Sequence, residues 1–336
     1  MDPRDASGVA TSLAAWAGTR FGGPIAVAGE PTNIAGGFDS FIHGVELTGG
    51  SLPAEWRRPL VVRMLPTARR APQAAREAAV QGWSADRGYA APQVLAVLGP
   101  DDGFDLPTQV MERASGTTML DAVTAKPWRA RRLVDQLAGL ALRLHALPTE
   151  GFPADQATVV DHRLGLARMV LGRIDRPDLA AALRRAESLS ARALEGPHVV
   201  CHGDFHPLNV MVDGDDASVI DWTDAGLGPR EADVARTALL FHVAAIAAGS
   251  AAERVVLRVA GPRLSGRFLR TYSAGAPLDP DRMRIWEVLH GVHGWAQVEM
   301  LHAGGFEGAS SAEAGRVPSS VGTFLRARVE RALAAL

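Results

Sequence analysis

Three polar residues, Asp204, Asn209 and Asp221, fall within one short stretch, VVCHGDFHPLNVMVDGDDASVIDW, spaced five and then twelve residues apart. Phosphoryl transfer needs a carboxylate to accept a hydroxyl proton and oxygen ligands for the magnesium that bridges nucleotide phosphates. An Asp, Asn and Asp set supplies both. The stretch reads as strand, loop and strand, so Asp204 would project toward an acceptor while Asn209 and Asp221, at the ends of the loop and of the next strand, converge on a metal. An isolated Asp or Asn in a loop is usually a turn former or a cap. The order of the whole string, with a candidate cation and carboxylate upstream, is what favours chemistry.

Composition removes competing chemistries. Lys126 is the only lysine and sits in TAKPWR, outside any glycine-rich loop, so neither a Walker-type phosphate loop nor a Schiff-base lysine has its context. Any required cation must be arginine. Cys201 is the only cysteine, which excludes an intrachain disulfide and a cysteine-rich metal site. Cys201 and His202 are neighbours on a strand and point to opposite faces, so they do not make a thiol nucleophile with its base. A serine hydrolase would need a G-x-S-x-G elbow, which does not occur. The formal net charge of −2 gives no basic excess for nucleic acid. The start MDPRDASG lacks the pattern of a secretory signal, and His242 interrupts the longest apolar run. A cytoplasmic protein without a membrane span is expected, monomeric or homodimeric.

The elements that must position these residues divide the 336 residues in two. Residues 1–113 read as an α+β lobe. A helix runs from about Ala6 to Trp16 and Gly22-Gly23-Pro24 stops it. A hairpin flanks Gly36-Gly37, and the apolar run PLVVRMLP between prolines is a buried strand. A helix spans Ala68 to Arg87, and QVLAVLG and TQVMER are two further strands. Residues 114–336 are mainly helical, with RLVDQLAGLALRLHAL and LAAALRRAESLSARAL showing apolar residues every three or four positions. Strands return only between His198 and Trp222. The small-residue stretch GGFEGASSAEAGRVPSS reads as a surface loop before the last helix.

HGDFHPLN, followed by VIDW and TDAGLGPREADVAR, resembles the aminoglycoside phosphotransferase family and its choline-kinase-like relatives. That resemblance, which covers residues 34 to 236, implies a protein-kinase-like fold of two lobes, an antiparallel sheet plus helix followed by a mainly helical lobe. It implies Asp204 as catalytic base, and Asn209 and Asp221 as magnesium ligands. His202 would shape the catalytic loop, and Asp233 would brace it by hydrogen bonds. GGFDSF, with Gly37 and Ser40, looks like the nucleotide-covering loop. Arg63 in VVRMLP stands where many relatives carry the phosphate-binding lysine, and Glu77 is its candidate partner. A forked guanidinium pairs with phosphate and carboxylate as well as an ammonium does. Glu112 and Ala114 fall at the family's hinge, where backbone groups bond the nucleobase. His206 and Asp224, with Trp286, His290 and Trp295 in WEVLHGVHGWAQVEMLH, are candidates for the acceptor pocket.

These readings converge on transfer of the γ-phosphate of ATP or GTP, with Mg2+, to a hydroxyl of a small acceptor. An aminoglycoside, macrolide or nucleoside antibiotic is expected, in resistance or self-resistance. A metabolic kinase for choline, homoserine or a sugar is the first alternative, and a non-catalytic binding module the second. Degenerate modules usually lose one of Asp204, Asn209 or Asp221, and all three stand here.

Overall fold

A computed structural model describes residues 1–34, 40–153, 159–247, 251–303 and 317–336. The chain divides into two compact units, residues 1–116 with 216–220, and residues 117–215 with 221–336.

The first unit is built on an antiparallel sheet in the order β2 (Thr32–Asn33), β3 (Phe41–Val45), β5 (Leu60–Met64), β7 (Thr108–Glu112) and β6 (Val94–Leu98). Two shorter strands, β1 (Ala26–Val27) and β4 (Leu47–Thr48), pair beside it. Central β5 alternates as its sequence requires: Leu60, Val62 and Met64 are buried, while Val61 and Arg63 point to the other face. Its register against β3 and β7 places Arg63 opposite Ile42 and Gln109. Helix α1 (Ala6–Phe21) starts at Asp5, whose carboxylate accepts the Ser7 N–H, and ends at Gly22 with φ 71°. Its face of Val9, Ala10, Leu13 and Ala17 packs with Trp56, Val62 and Phe104 in one apolar cluster. Helix α2 (Ala71–Asp86) carries Glu77 on its buried side. Strand β11 (Asp216–Val219) belongs to this unit, and the Val219 N–H donates to Ala90 O at 2.6 Å.

The second unit contains helices α3 (Met119–Ala125), α4 (Ala130–His145), α5 (Val159–Leu171), α6 (Pro177–Ser188) and α7 (Ser190–Ala193). It continues with α8 (Glu231–Ala247), α9 (Ala251–Gly275), α10 (Pro280–His302) and α11 (Ser319–Ala334). The apolar run expected as one helix from Leu179 is two, because the chain turns at Leu189 with no glycine or proline to announce it. Two ribbons complete the unit. Strand β8 (Thr117–Thr118) pairs with β10 (Val210–Asp213), and β9 (His198–Cys201) pairs with β12 (Gly226–Pro229). Most of the GGFEGASSAEAGRVPSS segment lies outside the described residues. No helix among the described residues is long and apolar enough to cross a membrane.

Helix α10 is the centre of this core, in contact with α5, α8 and α11. Gly291 and Gly294 let α11 approach it. A Cβ on Gly291 would lie 2.5 Å from Val329 Cγ2, and one on Gly294 would lie 3.0 Å from Leu325 Cδ1. Gly291→Val therefore overpacks the crossing and is expected to destabilise the protein by about 1–3 kcal/mol, read from urea midpoints. An unchanged midpoint would mean that α11 yields without cost.

Candidate active site

Strand β9 ends at Cys201, and the loop from His202 to Asn209 begins there. Its anchor is Asp233 in the first turn of α8. One Asp233 oxygen accepts the His202 N–H and the other the Gly203 N–H, each at 2.7 Å, and His145 Nε2 approaches at 3.2 Å. Burial alone would push the Asp233 carboxyl up, but the His145 hydrogen bond and the nearby imidazoles hold it below the ordinary carboxylate value. Gly203 has φ 81°, and a Cβ there would lie 2.3 Å from Asp224 O, so only glycine fits where the two loops cross. Asp233→Ala strands these buried N–H groups and is expected to cost about 3–5 kcal/mol of stability. Because the folded carboxyl titrates low, that gap is complete above pH about 4 and shrinks as pH falls through the lowered value. Urea unfolding of both proteins at pH 7 and pH 3 checks it.

The loop lies on one face of α8, where residues three and four apart are neighbours. Besides Asp233, Arg236 Nε donates to Asp204 Oδ1 at 2.9 Å and Thr237 Oγ1 donates to Phe205 O. Asp204 Oδ2 meets His206 Nε2 at 3.1 Å. His206 Nδ1 accepts the Leu208 N–H at 3.2 Å, which leaves the proton on Nε2 to donate to Asp204. Against the burial that would raise it, Arg236, His206 and Arg163 hold the Asp204 carboxyl well below the usual range. It stays ionised, and its side chain keeps 27% exposure, enough for a hydroxyl to reach it.

Asn209 Nδ2 donates to Asp204 O at 2.9 Å, which commits the amide nitrogen to the loop and leaves Oδ1 as the side that would meet a cation. Asp221 is exposed and, at φ 64°, is the one non-glycine residue with positive φ among the described residues. Left-handed backbone at a non-glycine residue is strained and clusters at functional positions. Thr223 Oγ1 donates to Asp221 Oδ1 at 2.7 Å. Asn209 and Asp221 offer the hard oxygen donors that magnesium prefers, so this donor set fits the ion. Three residues on, Asp224 is gripped by His162 Nε2 and Arg163 Nη2, each at 2.7 Å, and its carboxyl is held far below the ordinary value despite burial.

In the first unit, Arg63 Nη1 is hydrogen-bonded to Glu77 Oε1, and Arg63 Nε donates to Ser40 Oγ at 3.2 Å. The arginine, the glutamate and the serine named from sequence thus meet. Gly37 lies outside the described residues. The Glu112 N–H donates to Gln93 O at 2.9 Å and its side chain accepts from Arg58, while Ala114, two residues further on, is half-buried.

The acceptor candidates on α10 are placed differently. Trp286 is fully buried with Nε1 on Ala193 O, and His290 is fully buried with Nε2 on Ala232 O, so neither has surface for an acceptor to touch. Trp295 is 3% exposed, bonded to Glu299, with the Arg176 and Arg326 guanidinium groups about 6 Å from its ring. The histidines of this helix have separate backbone partners rather than a shared metal point: His293 binds Arg163 O and His302 binds Val317 O. Cys201 is buried, its thiol pushed well above its ordinary value by burial and by Asp233 and Glu231, which suits no nucleophile.

Sequence reasoning missed Arg236, Thr237 and Arg163. The first two could have been found by continuing the face of α8 from Asp233 by three and four residues. The profile of the phosphotransferase enzyme family (APH) matches residues 53–286. This chain belongs to that family. Among curated proteins, the phosphotransferase is 28% identical over 208 residues to an aminoglycoside 3'-phosphotransferase of Streptomyces fradiae, covering 56% of this chain and 73% of that one. Its fold is that of solved aminoglycoside phosphotransferase APH(4)-Ia, with TM-score 0.62 at 17% identity over 97% of this chain and 99% of the other. A choline/ethanolamine kinase family protein from Mesorhizobium loti has TM-score 0.60 at 16% identity, with 92% of each chain covered. The protein-kinase-like fold expected from the motifs, a sheet-bearing N-terminal part and a mostly helical C-terminal part, is therefore found, and the phosphotransferase activity follows with the family.

Proposed function

We propose that this phosphotransferase moves the γ-phosphoryl group of ATP or GTP to a hydroxyl of a small antibiotic-like acceptor, with Asp204 as base. The observation that carries the reading is the Asp204 carboxylate itself, ionised, partly exposed and fixed by Arg236 on one oxygen and His206 on the other. A base held this acidic does not strip a hydroxyl unaided. It orients the hydroxyl and takes its proton late, as the loose transition state of phosphoryl transfer allows. Asn209 and Asp221 would hold magnesium, which when bound neutralises phosphate charge. Arg63, steadied by Glu77 and Ser40, is assigned to the phosphates of the nucleotide. Arginine does this without the pKa adjustment that a buried lysine needs.

The antibiotic reading is supported by the Streptomyces fradiae relative and by a thermostable mutant of APH(4)-Ia solved as a ternary complex with AMP-PNP and hygromycin B. Likeness to the choline/ethanolamine kinase family protein supports the second reading, a metabolic kinase. Nucleotide consumption with ATP and with GTP, across aminoglycosides, macrolides, nucleoside antibiotics, choline, homoserine and sugars, separates them. Turnover dependent on one antibiotic class supports the first reading, and turnover on choline, homoserine or a sugar alone replaces it with the second. Nucleotide binding without transfer to any acceptor would move the protein to the class of binding modules.

A further inference from the structure

We propose that Arg163 of α5 is a positioning residue that locks the base loop to the metal-ligand loop. The proposal rests on the assignment of Asp204 as base and Asp221 as metal ligand. Arg163 is 1% exposed. Its Nη2 donates both to Gly203 O, the carbonyl just before the base, and to Asp224 Oδ2, three residues after the metal ligand. His162, next to it on the helix, takes the other Asp224 oxygen. The two loops touch at this point, where Gly203 has no room for a side chain against Asp224. Arg163 is itself held from α10, because its carbonyl accepts from His293 Nδ1 at 3.1 Å. One nitrogen therefore sets the spacing between the loop that carries Asp204 and the loop that carries Asp221.

Stability gives a poor account of this residue. Its Nε and Nη1 are buried without a hydrogen-bond partner among the described residues. A buried charge with incomplete pairing is commonly no better for stability than an apolar side chain of the same volume. The arrangement makes sense where the relative placement of two loops matters more than folding energy, as it does for groups that must meet one transferring phosphoryl group. Arg163 lies on a helix outside every motif that carries the family resemblance.

The test uses Arg163→Lys, which keeps the charge but withdraws the donor by one bond length, with Arg163→Met and Asp224→Asn beside it. Amide hydrogen exchange reads the loops without any substrate. In Arg163→Lys, exchange in 202–209 and 221–226 is expected to rise about tenfold while α4 and α10 stay as in the wild type. In the phosphotransfer assay, kcat is expected to fall about 100-fold, the scale of a misplacement of roughly one ångström, with the nucleotide KM changed less than about threefold. Arg163→Lys combined with Asp224→Asn should be no slower than the slower single variant, because both act through one contact. A folded Arg163→Lys protein with unchanged loop exchange overturns the proposal. So does exchange that rises equally in α10, which marks ordinary destabilisation. If Arg163→Met does not fold, Arg163→Lys and Asp224→Asn decide. If the wild type transfers phosphate to no acceptor, the exchange pattern still tests the bracing while the kinase reading fails by itself.

Discussion

Asp204→Asn is expected to lower kcat by about 10²–10⁴-fold, the usual contribution of a positioned acid or base, with nucleotide KM changed little. The amide preserves size and keeps an oxygen for Arg236 Nε, so the loop can stay docked on α8. What is lost is the negative charge proposed to orient the acceptor hydroxyl and receive its proton. Arg236, 7% exposed, loses its counter-charge at the same time. A stability loss of about 1–3 kcal/mol follows, less than for a fully buried pair because Asp204 is partly solvated. Steady-state kinetics with a melt of the same preparation separate the two effects. A folded variant with kcat within tenfold of wild type would remove Asp204 from the role of base.

The proposed catalytic set was legible because its members are neighbours in the chain. Asp204 and Asn209 lie in the loop between β9 and β10 and Asp221 follows β11, and short segments preserve their spacing when they fold. Strand β5 was legible too, since a brief apolar run between prolines has little choice, and its alternation puts Arg63 on the face opposite Leu60, Val62 and Met64. Helix α10 was not. It is apolar on nearly every side, so its periodicity cannot tell an inward tryptophan from one lining a pocket. Trp286 and His290 turned out to be core for that reason. Arg163 and Arg236 were illegible for another reason. An arginine on a helix is ordinarily solvated, and nothing local signals that the facing surface is the underside of the loop that carries Asp204.

The strained backbone of Asp221 sets up the second large effect. An aspartate in the left-handed region costs about 1–2 kcal/mol relative to an unstrained conformation, and asparagine tolerates that region at least as well. Asp221→Asn keeps an oxygen for Thr223 Oγ1, so stability should stay within about 1 kcal/mol of wild type. Function should not survive. With Asn209 and Asp221 as the proposed magnesium ligands, removing the carboxylate would leave only Asn209 and a neutral amide for a hard divalent cation, and several kcal/mol of charge stabilisation would go with it. That corresponds to a fall in kcat/KM for the nucleotide on the order of 10³-fold, at 1.36 kcal/mol per decade. The melt provides an independent reading. Wild type should gain Tm when ATP and magnesium are added together and lose that gain with EDTA, whereas Asp221→Asn should show the same Tm in all three conditions. A magnesium-dependent rise in the variant equal to that of wild type would mean that the metal is held elsewhere, and that the left-handed turn at Asp221 serves the loop rather than the ion.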